Sequence, residues 1–175
     1  MGEGIINSNS EVDFRFIGFL INEIALPMKL RPDIVAAIVL QESNGNTFAW
    51  RWEEAFWEKH LKNAKREELA GFVPPAGSLP SLVDERLQRS CSYGLMQVLG
   101  DTARWCGKVT APFIGVLHDP KFGIQIGSRV LQFYLAKSKG DYDRALKYYN
   151  GSWEYVTKIN NIINNRQHLK FFEGE

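Results

Sequence analysis

The strongest constraint on what this chain can fold into is the stretch Arg31-Pro-Asp-Ile-Val-Ala-Ala-Ile-Val-Leu-Gln-Glu-Ser43. Pro32 and Asp33 suit a helix start, because proline has no N–H to leave unpaired there and a carboxylate favours the positive helix end. Ile34 to Leu40 are apolar without interruption, and a helix apolar all round is buried all round. The remaining chain must therefore wrap this helix. Glu42 interrupts the pattern, following Ile38 by four residues and Ile34 by eight, so it projects from an otherwise apolar face. A carboxyl placed there is costly to ionise and its pKa rises, as a general acid near neutral pH requires. This stretch alone leaves a second reading open: a glutamate at a helix C-terminus that reaches solvent, the commoner fate of helical Glu.

Periodicity places further helices around it. Phe14, Ile17, Leu20, Ile21 and Ile24 recur at helical spacing, predicting a helix over 11–26 capped by Ser10. Asn44-Gly45-Asn46 is a turn. Phe48, Trp50, Trp52, Phe56 and Trp57 are followed by charges, with Glu58 and Lys62 at i,i+4, so 48–68 reads as a helix. Its aromatics suit a core-pinning role, or one wall of a sugar cleft. Gly71 to Pro80 is a loop, 80–89 a short helix, and Ser90 to Val98 an extended or irregular segment. Asp101 is placed to cap the next helix, which Gly107 ends. Pro120 opens a long helix carrying Phe122, Ile126, Val130 and Phe133 on one stripe, and Lys139-Gly140 stops it. Asp141 and Ser152 start the last two helices. The fold class expected is mostly α, a helical core around the buried central helix, with at most a small β element between 44 and 98.

Three separated stretches carry polar residues in apolar surroundings: Gln41-Glu42-Ser43, Ser92-Tyr93-Gly94-Leu95-Met96-Gln97, and Tyr148-Tyr149-Asn150-Gly151. Gly94 lets a backbone approach closely. Gln97 offers a donor and an acceptor to sugar hydroxyls and acetamido groups. Tyr149 offers a phenol. Together they resemble the catalytic domain of the soluble lytic transglycosylases, a lysozyme-like family whose pattern is Glu-Ser ending a buried helix, then Gly-Leu-Met-Gln, then Ala-Tyr-Asn. Val98, Thr102-Ala103, Asp119-Pro120, Gly127 and Tyr134-Leu135 look like its flanking positions. The resemblance covers about 30–160 within a single domain over 1–175, and implies an α+β lysozyme-like arrangement.

The resemblance implies peptidoglycan glycan strands as substrate and the β-1,4 bond between N-acetylmuramic acid and N-acetylglucosamine as the bond cleaved. Glu42 would be acid and then base, closing a 1,6-anhydro ring. Ser43, Tyr93, Gly94, Leu95, Met96, Gln97, Tyr149 and Asn150 would bind or orient, with Met96 and the Leu95 backbone lining the cleft. Two departures stand out: Tyr148 replaces the usual alanine, and 48–89 lengthens the gap from Glu42 to Gly94. A hydrolytic lysozyme, which needs a second carboxylate to position water, is the alternative. Glu53, Glu54, Asp84, Glu85 and Asp101 are its candidates by location, each otherwise a surface charge or cap. A non-catalytic wall-binding or virion module is a third reading, against which the presence of Glu42 argues.

Other classes fall away. A net charge of +1 gives no support for nucleic acid as a partner. No run approaches a membrane span. His60, His118 and His168 form no cluster and read as surface or loop residues, so no metal and no cofactor are expected. Cys91 and Cys106 read as two buried thiols rather than a bridge. The chain is expected to act as a monomer on the cell wall, in the periplasm or outside the cell. Met1-Gly-Glu-Gly-Ile-Ile-Asn-Ser lacks the features of a secretory signal, which suits a phage-encoded enzyme released by lysis, and equally a processed enzyme.

Overall fold

The computed structural model describes residues 13–173, which are mostly helical with one small sheet. Helix α1 (Phe14–Ala25) is capped by Asp13, whose carboxylate accepts from the Phe16 N–H at 2.8 Å; Ser10, the expected cap, lies outside the described residues. Helix α2 (Pro32–Ser43) has Pro32 and Asp33 in its first turn and ends where Asn44 turns left-handed, φ 49°. Ile34 to Val39 are buried. The chain wraps α2 with α1, with α8 (Trp153–Asn164), and with a 3₁₀ turn at Gln167–Phe171. Outside these, α6 (Pro120–Lys137) packs on α1 and on α7 (Tyr142–Asn150).

The expected helix over 48–68 is replaced by strand β1 (Trp50–Trp52), a single turn α3 (Glu54–Phe56), a π turn (Trp57–Leu61) and a 3₁₀ turn (Arg66–Glu68). Trp50-Arg51-Trp52-Glu53 alternates aromatic and charged residues, the two-residue period of a strand. Strand β1 pairs antiparallel with β2 (Cys91–Tyr93), and β2 with β3 (Val98–Leu99), in the order β1-β2-β3. The aromatics do not pin a helix to the core: Phe48 is 72% and Trp50 64% exposed. The Glu58–Lys62 pair does form, at 3.1 Å.

Between β1 and β2, α4 (Leu82–Arg89) begins in a reciprocal cap of Ser81 with Asp84. Helix α5 (Gly100–Trp105) has no side-chain cap; Asp101 turns instead to Arg89, 2.7 Å away. Glu85, Arg89 and Arg104 are wholly buried. Glu85 Oε1 accepts from Arg89 Nε and Arg104 Nε, each at 2.8 Å, and Oε2 from Arg104 at 2.7 Å. The guanidiniums spend their other donors on the carbonyls of Ala70 and Phe72, and of Val109, Ala111 and Pro112. Buried charges persist only when paired and fully hydrogen-bonded, and this cluster clamps two loops to α4 and α5.

Three smaller expectations need correction. His168 is buried, not a surface residue. Phe133, expected on one stripe with Ile126 and Val130, is 43% exposed and meets Trp105 edge-on at 5.3 Å, whereas those two are buried. Cys106 is buried, but Cys91 is only partly so; both are free thiols.

Candidate active site

The Gly94-Leu95-Met96-Gln97 stretch is the tight turn joining β2 to β3. Gly94 and Gln97 both adopt left-handed backbone, φ 70° and 44°. A Cβ on Gly94 would meet the Leu117 carbonyl oxygen at 2.3 Å, so glycine is required there by conformation and by space. Leu95 and Met96 are fully buried. Met96 packs on Gly127 of α6, where an added Cβ would lie 2.7 Å from the Met96 Cβ.

Three successive carbonyls of this turn receive side-chain donors from the three polar stretches. Gln97 Nε2 donates to Gly94 O at 3.0 Å and to Ala49 O at 2.9 Å. Ser43 Oγ donates to Leu95 O at 2.9 Å. Tyr149 OH donates to Met96 O at 2.8 Å. The end of α2, the turn and α7 are thereby locked together, and the donors of Ser43 and Tyr149 serve the backbone. Tyr93, at the end of β2, donates its hydroxyl to Gln88 O at 3.0 Å and sets its ring edge-on to His118.

A cleft of ≈ 270 Å³ opens over this lock, and Glu42, Gln97, Tyr149 and Asn150 all line it. A second, strongly polar opening shares Glu42, Arg51 and Asn150, and adds Tyr155, Glu154 and Lys158. Glu42 thus stands where two hollows meet. Burial pushes its pKa above the ordinary carboxylate value; the Tyr155 phenol and the Arg51 charge draw it back, and the Glu53 charge pushes it up. The Tyr155 hydroxyl is buried and takes no hydrogen bond of ordinary geometry from the described residues, although it stands against the Glu42 carboxyl. Tyr149 and Tyr155 have pKa values well above that of a free phenol, chiefly through burial and then through the Glu42 charge. Both remain protonated donors.

Of the five candidate second carboxylates, Glu53 lines the cleft with Glu42. Glu85 lies inside the buried clamp, Asp101 pairs with Arg89, Asp84 serves the Ser81 cap, and Glu54 is exposed on α3. Arg51 and Tyr155 escaped sequence reading as cleft residues, and Ser92, named within the second polar stretch, was given no role of its own. Strand alternation carried the signal for Arg51 and Ser92, because Arg51 and Glu53 share a face and Ser92 is the cross-strand partner of Arg51. Tyr155 reads from sequence as one more inward residue of α8, and nothing local distinguishes it.

A family model described as the transglycosylase SLT domain matches residues 19–171. The chain belongs to the SLT transglycosylase family. No curated protein and no solved structure matches it at a significant level. In this SLT domain, Glu42, Gln97 and Tyr149-Asn150 line one cleft although they lie far apart in sequence, whereas Leu95 and Met96, expected in its lining, are fully buried beneath it. Among the described residues no group of His, Cys, Asp and Glu could hold a metal ion, and no helix is long and apolar enough to cross a membrane.

Proposed function

We propose that this chain is a peptidoglycan lytic transglycosylase acting on the β-1,4 bond between N-acetylmuramic acid and N-acetylglucosamine, with Glu42 as its acid and base. The observation that carries the reading is Glu42 itself, a partly buried carboxyl at the junction of two hollows, on a helix end tied to the turn and to α7. The family membership supports the same reaction class.

A glycan strand lying across both hollows would bring a glycosidic oxygen to Glu42. The protonated carboxyl gives its proton to that oxygen, the C1–O bond breaks, and the sugar gains oxocarbenium character. The carboxylate left behind stands against the Tyr155 hydroxyl, which makes no hydrogen bond of ordinary geometry among the described residues. It then takes the proton of the muramic acid's own 6-hydroxyl as that oxygen closes on C1, leaving a 1,6-anhydro end and restoring the acid. Mass spectrometry of the fragments released from purified cell walls tests this: anhydro ends are expected, and their absence would sink the reading. A hydrolytic lysozyme is the second reading, and the presence of Glu53 in the same cleft favours it.

A further inference from the structure

We propose that Glu53 is a working base of this cleft, held in place by Arg51 and Ser92, and that it gives the enzyme a hydrolytic exit beside the anhydro one. The inference rests on Glu42 acting as the acid.

The two carboxylate oxygens of Glu53 are held differently. Oε1 accepts from Arg51 Nε at 2.8 Å and from Ser92 Oγ at 2.9 Å, and the second Arg51 nitrogen lies 2.7 Å from the same atom. Oε2 takes no hydrogen bond from the described residues. One oxygen is therefore pinned, and the other is unclaimed on a side chain that keeps 27% of its surface exposed while lining the cleft. A carboxylate serving only to neutralise Arg51 has no need of a third donor from another strand. The strand geometry makes the arrangement rigid. Arg51 and Glu53 lie two residues apart on one face, Ser92 faces Arg51 across the ladder, and the Glu53 N–H is itself fixed to Ser90 O at 2.9 Å.

The chemistry balances without a co-reactant other than water. Once Glu42 has protonated the leaving oxygen and the C1–O bond has broken, C1 has two captors. The 6-hydroxyl closes the anhydro ring and returns its proton to Glu42. A water resting on Glu53 Oε2 instead forms the new C1–O bond and passes a proton to that oxygen. Glu53 then loses this proton to solvent, and Glu42 regains one from solvent. Glu53 thus sets the partition between anhydro and reducing ends.

The experiment digests purified peptidoglycan sacculi with the full chain in H₂¹⁸O, followed by immediate borohydride reduction and mass spectrometry. The parent enzyme is expected to release both kinds of end, the reducing ones labelled. Glu53→Gln keeps an oxygen for Arg51 and Ser92 but is no base; the ratio of reducing to anhydro ends should fall about a hundredfold. Formate added to Glu53→Ala should restore reducing ends, a rescue that a purely structural role would not show. The inference is overturned if the parent releases anhydro ends alone, if Glu53→Gln leaves the ratio unchanged, or if formate has no effect. The transglycosylase reading fails separately, if no anhydro ends appear from any of these proteins.

Discussion

At the scale of single residues, the fold acts on the protonation of Glu42. A carboxyl whose folded pKa lies above its unfolded value binds more protons folded than unfolded between the two, so its contribution to stability falls as pH rises through that window. Burial is the main cause of the rise here. Glu42→Gln removes the titration; its melting temperature should exceed the parent's at neutral pH, and the gain should vanish below the unfolded carboxylate pKa. Thermal scans over pH check this, and the same variant should lose about a hundredfold or more in wall clearing. Tyr155 works in the opposite sense, since its phenol lowers the Glu42 pKa. Tyr155→Phe should therefore move the basic limb of the pH–rate profile upward, because the acid stays protonated to higher pH. A profile unchanged in position would mean that the phenol does not act on Glu42.

At the scale of elements, one packing contact holds the turn beneath Glu42. Gly127 lets α6 approach Met96, and an added Cβ would sit 2.4 Å from the Met96 sulfur as well as against its Cβ. Gly127→Ala should cost about 1–3 kcal/mol, the usual penalty for overpacking, and should lower activity by tilting the turn away from Ser43 and Tyr149. Denaturant unfolding and wall-clearing rates read the two effects separately. The Glu85 clamp is a different device, joining α4, α5 and two loops through buried guanidiniums. Glu85→Ala leaves both arginines without their shared buried partner and should destabilise the fold by about 3–5 kcal/mol, measurable by urea unfolding. The same glutamate looked from sequence like a candidate catalytic carboxylate. Nothing in Leu82-Val-Asp-Glu-Arg reveals that Arg104 will arrive from α5 to enclose it.

At the scale of the whole molecule, the cleft is assembled from α2, the sheet, α7 and α8, so activity depends on the shared core rather than on any one loop. The loop around Pro75 to Leu79 is mostly exposed and contributes nothing to the cleft lining. Limited proteolysis is expected to nick there first, leaving the fragments associated and wall clearing within about twofold, because the loop base stays clamped by Arg89. Much of this architecture was readable in the chain. The α2 boundaries follow from Pro32, the apolar run and the left-handed Asn44, and the caps at Asp141 and Ser152 follow from local hydrogen bonding, which sequence carries directly. The 48–68 segment reads as a helix because aromatic and charged residues alternate there only briefly, and a strand becomes one by finding a partner. By itself the sequence determined that a buried helix would end in a glutamate, and that two distant polar motifs belonged with it. Only the tertiary structure decided which side chains surround that glutamate. Arg51, Glu53, Ser92 and Tyr155 reach it through strand pairing and helix packing, and those contacts bring together residues that nothing local connects.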